Sequence, residues 1–144
     1  MSNSKSLMTT YILTYGTLRY EYPTSKGFGL HDEERAKYLG QTSVLGGIYS
    51  LGGFPGWKND NNGHTVCDMF EVVDQSIIKR LDYYEGYLER DPENGLYNKC
   101  TLRVPRPDTG ELVDAVIYEY NGEVDCDYHV DCGNWIAFLE RKAA

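Results

Sequence analysis

Two short stretches carry residue types that can do chemistry. Tyr15-Gly16-Thr17-Leu18-Arg19 follows an aromatic and β-branched run and reads as a glycine turn where a strand ends. Backbone N–H groups at such a turn can point at an anion. Leu81-Asp82-Tyr83-Tyr84-Glu85-Gly86-Tyr87 closes a helix-like segment. With a repeat of about 3.6 residues, Ile78, Leu81 and Glu85 share one stripe of that helix, so Glu85 points where the apolar residues point. A carboxylate buried without a partner is costly, and its pKa rises toward neutrality. In that state it serves first as a general base and then as an acid. An anion-holding loop and one proton shuttle suit a reaction that needs neither a nucleophilic side chain nor a metal.

Each stretch also has a plainer reading. The helix can fray near its end, leaving Glu85 solvated or paired with Lys79 or Arg80. Asp82, on the same face, reads as a polar edge residue. The glycine turn can be only a strand terminus, with Arg19 facing water. A third cluster, Asp125, Cys126, Asp127, His129, Asp131 and Cys132, crowds metal-donor types together. Its cysteines flank a single histidine and no second cluster follows, so an acidic solvated connector is the default and a zinc site the alternative.

The elements that must hold these residues follow from pattern and punctuation. Tyr11 to Tyr15 reads as a first strand, residues 21–30 as a loop, and His31 to Tyr38 as a charged stretch with one short helix. Thr42 to Leu51 reads as a strand with a bulge or tight bend at Gly46-Gly47, and residues 52–63 as an extended turn region. Thr65 to Val73 is another strand. Asp74 caps a helix through Ile77, Ile78 and Leu81 to about Glu85, with Gly86 ending it. Tyr97 to Pro105 and Leu112 to Tyr120 form a hairpin around Pro107-Asp108-Thr109-Gly110, and Trp135 to Glu140 is a short C-terminal helix. Mostly strands with one central helix, this is a barrel-like α+β domain over residues 11–144, behind a loose lead-in at 1–10.

Bulk properties narrow the partners. The chain has 144 residues, 41% hydrophobic and 25% charged, which suits one globular domain. Its 13 tyrosines pack like hydrophobes yet keep a polar tip, as a core around a polar cavity requires. A net charge of −8 without a basic cluster argues against nucleic acid and against an anionic membrane surface. No apolar run is long enough to span a bilayer. Cys67, Cys100, Cys126 and Cys132 form no C-x-x-C pair and no apolar signal core opens the chain, so reduced thiols and a cytoplasmic location are expected. Cys67 and Cys100 sit in strand-like segments as small core residues.

Taken in order, several pieces resemble the gamma-glutamylcyclotransferase-like superfamily, in particular its gamma-glutamylamine cyclotransferase and avirulence-induced-gene-like branch. They are Tyr15 to Arg19, Gly47-Ile48-Tyr49-Ser50-Leu51 running into Phe54-Pro55-Gly56, and Asp82-Tyr83-Tyr84-Glu85-Gly86. The strand of Tyr97, Leu102 and Val104 and the triplet Gly133-Asn134-Trp135 complete the set. The resemblance implies a small mixed β-barrel with a cavity between the glycine turn and Glu85. It implies a cyclotransferase that releases 5-oxoproline and an amine or amino acid from a small gamma-glutamyl compound, with no cofactor and no metal. Glu85 is then the proton shuttle, with Tyr15, Gly16, Thr17, Leu18, Arg19 and Tyr97 binding substrate. The family triplet usually reads Gly-Asp-Trp, and Asn134 removes that charge here. The residue-level alternative, a non-catalytic module that holds a small ligand in the same cavity, stays open. The residues leave oligomeric state and the identity of the leaving amine undecided.

Overall fold

The computed structural model describes residues 9–143. The expected lead-in falls outside the described residues as far as position 8, and Thr10 already opens strand β1, Thr10–Thr14. This strand is short and apolar because both of its faces are covered. Ile12 joins one buried cluster and Leu13 the other. β1 pairs antiparallel with β5, His64–Val72, and parallel with β7, Leu112–Tyr120. β5 in turn pairs with β2, Ala36–Leu45, through a register shift at Tyr38/Gly40. β6, Tyr97–Pro105, forms the predicted hairpin with β7. β3, Gly47–Ser50, pairs with β4, Pro55–Lys58, and β4 meets β7 in parallel at Trp57 and Glu119.

The seven strands make one mixed sheet curled into a half-barrel. Inside it lie Leu13, Ile48, Trp57, Met69, Ala115, Ile117 and Trp135. The outer face is covered by the central helix α2, Gln75–Tyr84, which packs Ile77, Ile78 and Leu81 against Ile12, Phe70 and Val72. Helix α3, Trp135–Ala143, follows a connector that bonds to β3 and β5 through Val130 N to Ile48 O and Val66 N to Gly133 O. Among the described residues no helix is long and apolar enough to cross a membrane.

Three local expectations are corrected. Residues 23–27, expected as loop, form the short helix α1, Pro23–Gly27; Pro23 sits in its first turn and the Ser25 hydroxyl donates to Tyr22 O at 2.8 Å. The charged stretch from His31 is not a helix but turns that lead into β2 at Ala36. Its Arg35 is used to hold Asp74, the α2 cap, at 2.7 Å. Within the expected turn region, Pro55–Lys58 is β4, because Trp57 buries its whole indole in the half-barrel.

A buried ion pair fixes the direction of the chain after β1. Arg19, 1% exposed, donates from Nε to Asp68 Oδ2 at 3.1 Å and from Nη1 to Asn134 Oδ1 at 3.1 Å. Asp68 also accepts from Tyr20 N at 2.8 Å and from the Tyr38 hydroxyl at 2.8 Å. The turn, β5, β2 and α3 thus meet at one pair of charges. Replacing one partner, as in Asp68→Leu or Arg19→Met, strands the other in the interior and should lower unfolding free energy by about 3–5 kcal/mol. The double variant should cost clearly less than the sum of the singles. Urea denaturation of the three proteins measures this, and additive losses would refute the coupling.

Candidate active site

A cavity of about 310 Å³ opens where β1 ends. Its wall comprises Thr14 to Leu18, Phe54 and Pro55 ahead of and in β4, Leu81, Tyr84 and Glu85 at the end of α2, Leu96 and Tyr97 at the start of β6, and Tyr118 on β7. Glu85 is the one charged side chain in this lining, and no lysine, arginine or histidine joins it.

The local sequence explains why Glu85 arrives there. Asp74 Oδ1 accepts from Ser76 N at 2.9 Å and starts the helix. The buried stripe Ile77, Ile78 and Leu81 then sets its rotation. Glu85 is the C-terminal cap, its N–H donating to Leu81 O at 2.9 Å. The next residue turns back at a φ of 68°, which favours Gly86. Among the described residues no hydrogen bond or ion pair reaches the Glu85 carboxylate, and Lys79 and Arg80 do not pair with it. Burial alone raises its pKa to about 7.

Facing the same cavity, the turn is held by Arg19 N donating to Gly16 O at 3.1 Å. The N–H groups of Gly16, Thr17 and Leu18 donate to no protein acceptor among the described residues. Three unspent donors on a cavity wall are an anion cradle in waiting. Gly16 is needed for space, since a Cβ there would come within 2.9 Å of Pro55 Cγ. The Thr17 hydroxyl lies 3.2 Å from the Tyr84 hydroxyl, tying the turn to α2.

Both expected tyrosines line the cavity, with their hydroxyls already engaged. Tyr15 donates to Tyr118 O at 2.7 Å and accepts from Trp57 N at 3.1 Å. Tyr97 donates to Pro55 O at 2.6 Å. Burial raises the pKa of each phenol, so both stay protonated near neutrality. The structure therefore brings Tyr15, Gly16, Thr17, Leu18, Tyr97 and Glu85 to one cavity. Arg19 is not in its lining, being turned inward onto Asp68 and Asn134.

Sequence reading missed Tyr118 and Tyr84 as lining residues. Tyr118 had a signal: alternation along β7 sends Val113, Ala115 and Ile117 into the half-barrel and Val116 and Tyr118 to the α2 face. Its hydroxyl donates to Asp82 Oδ1 at 2.5 Å, while Lys99 Nζ holds Asp82 Oδ2 at 2.9 Å. Asp82 is thus fully partnered, whereas Glu85 is bare.

The Asp125 to Cys132 stretch has a structural use. His129 joins Asp131 Oδ1 and Asn62 O, each at 2.7 Å, and forms a bridge with Tyr49. Among the described residues no group of three or more His, Cys, Asp or Glu is placed to hold a metal.

A curled half-barrel with an unspent amide turn and one bare carboxylate at the same cavity defines a small-molecule site. The family described as gamma-glutamyl cyclotransferase, AIG2-like, matches residues 12–137, and the chain belongs to that family. Among curated proteins, none matches the chain. Solved structures share the fold. An uncharacterized protein of Pyrococcus horikoshii superposes with a TM-score of 0.66 at 19% identity, over 93% of this chain and 96% of that one. An AIG2-like protein of Mus musculus gives 0.64 at 19% identity, over 83% and 82%. The ytfP protein of Escherichia coli gives 0.60 at 24% identity, over 92% and 99%.

The raised Glu85 carboxyl has a consequence for stability. Its ordinary value is 4.5 and its folded value about 7, so between the two the folded chain holds a proton that the unfolded chain has released. Stability contributed by this group is therefore lost as pH rises through that window, and the loss is complete above it. Glu85→Gln, which cannot ionise, should gain on wild type in urea unfolding between about pH 5 and about pH 8. A difference independent of pH would refute the buried-acid assignment.

Proposed function

We propose that the protein is a cyclotransferase that releases 5-oxoproline and a free amine or amino acid from a small gamma-glutamyl compound. The observation that carries this reading is the unpartnered Glu85 carboxylate, poised near neutrality on the wall that also presents the free amides of Gly16, Thr17 and Leu18. The mouse AIG2-like protein, whose name carries the same GGACT label as the matching family, agrees with it in fold.

In this reading the nucleophile belongs to the substrate. Its α-amine attacks its own γ-carbonyl carbon, closing a five-membered ring, so the protein's main task is to hold the chain folded and in line. The turn amides bind the α-carboxylate or the oxygen that gains charge as the carbonyl becomes tetrahedral. Glu85 takes a proton from the attacking nitrogen and returns it to the leaving nitrogen as the C–N bond breaks. Tyr15 and Tyr97, with hydroxyl protons committed to backbone carbonyls, shape the wall and exclude water. The substrate is a small molecule, and four free cysteines accord with a reducing, cytoplasmic setting.

Glu85→Gln should keep the fold and lower 5-oxoproline release by about 10²–10⁴-fold. Wild-type kcat/KM should rise with pH through the Glu85 ionisation near 7, and a panel of gamma-glutamyl amines and gamma-glutamyl amino acids supplies the substrates. Unchanged turnover in the variant would remove Glu85 as the shuttle. Ligand binding without turnover across the panel would instead favour a non-catalytic module.

A further inference from the structure

The wall of the Glu85 cavity carries a second polar group without a partner. Tyr15 donates its hydroxyl proton to Tyr118 O, Tyr97 to Pro55 O and Tyr118 to Asp82. Thr17 and Tyr84 bond to each other. Thr14, the last residue of β1, lines the same cavity and is 6% exposed, and its buried Oγ1 has no hydrogen-bond partner.

Strand geometry fixes where Thr14 stands. Alternation along β1 puts it on the face of Ile12, which packs with Leu81 beneath α2, and not on the face of Leu13 and Tyr15 inside the half-barrel. It is therefore part of the cavity floor, under the helix that delivers Glu85. Its register partner on β5 is Asp68, yet that carboxylate accepts from Arg19, Tyr20 N and the Tyr38 hydroxyl and not from Thr14. A valine would fill this place with the same shape and leave no polar group unmatched, whereas a buried hydroxyl without a partner costs stability. A cost of that kind at a cavity wall is explained by a ligand that relieves it. One step of χ1 between staggered wells turns the hydroxyl without moving the strand.

We propose that Thr14 is a substrate-binding residue whose Oγ1 accepts a hydrogen bond from the attacking nitrogen of the gamma-glutamyl group. This assignment rests on the cyclotransferase reading above. The α-amine that closes the ring carries two hydrogens. One leaves with Glu85, and the other stays on nitrogen and is still present in the ring of 5-oxoproline. That lasting N–H, taken out of water, needs an acceptor. A hydroxyl supplies one without competing for the proton, as a second carboxylate would. With one N–H held in this way, the nitrogen lone pair is oriented toward the γ-carbonyl carbon.

The test separates the hydroxyl from the space it fills. Thr14→Val removes the hydroxyl and keeps the shape, whereas Thr14→Ser keeps the hydroxyl. Each variant and wild type are titrated with 5-oxoproline and with 3-oxocyclopentanecarboxylate, in which a methylene replaces the ring N–H. Thr14→Val should bind 5-oxoproline about tenfold less tightly than wild type, bind the methylene analogue equally well, and lose about tenfold in kcat/KM for gamma-glutamyl compounds. Its urea midpoint should rise, because a buried unpaired hydroxyl is gone. Thr14→Ser should retain both the preference for 5-oxoproline and the turnover. An unchanged 5-oxoproline affinity in Thr14→Val, an equal loss for both ligands, or a lowered urea midpoint would overturn the contact and leave the cyclotransferase reading standing. Failure of wild type to release 5-oxoproline from any gamma-glutamyl compound would overturn that reading, and this inference with it.

Discussion

The contact between Arg19 and Asp68 is the constraint on which the site depends. Two charges lie in the interior, and only a full set of partners offsets their loss of water. Asp68 receives Arg19, Tyr20 N and the Tyr38 hydroxyl, so β5 and β2 both grip the residue that ends the glycine turn. Arg19 reaches on to Asn134, whose Oδ1 also accepts from Ala137 N at 3.2 Å in the first turn of α3. Because Asn134 is neutral, Asp68 alone balances the buried guanidinium. With Arg19 drawn inward, Gly16, Thr17 and Leu18 are held in a turn whose amides have no internal partners. An unanchored loop would be free to close those donors onto its own carbonyls.

The second determinant is the contrast between two carboxylates on one face of α2. Asp82 is held by Lys99 and the Tyr118 hydroxyl, whereas three residues later Glu85 has neither cation nor donor. Environment rather than residue type assigns their roles: one acid is spent on structural contacts, the other is left free to titrate near neutrality. Lys99 serves this division indirectly. By engaging Asp82 it keeps a second negative charge from standing unbalanced beside Glu85.

How much of this was legible in the sequence depended on how local the cause was. The β6–β7 hairpin and the capped helix α2 were readable because alternation, Pro107–Gly110, Asp74 and Gly86 act within a few residues. Glu85 could be placed on the apolar face for the same reason. β4 was not readable, since its strand character comes from Trp57 filling the half-barrel, a fact about distant residues. Arg19 looked like a solvent-facing arginine after a turn. Its burial follows from Asp68 on β5, which no local pattern reports. Likewise, which of Asp82 and Glu85 would be bare was decided by Lys99 and Tyr118 on other strands.

The cavity itself follows from a change of partners along β7. Residues 115–117 pair with β1, but at Glu119 the neighbour is β4. Between them, at Tyr118, the ladder would lose its hydrogen bonds. The Tyr15 phenol fills that position, donating to Tyr118 O and accepting from Trp57 N, so a side chain replaces the missing peptide group. β1 is thereby released to turn away at Gly16, and Pro55 can approach the glycine closely. The opening left by that departure is the space into which α2 delivers Glu85. A sheet that continued β1 alongside β7 would satisfy more backbone hydrogen bonds and contain no cavity. The tyrosine and the glycine together make the interruption tolerable, which is why they sit side by side at the site.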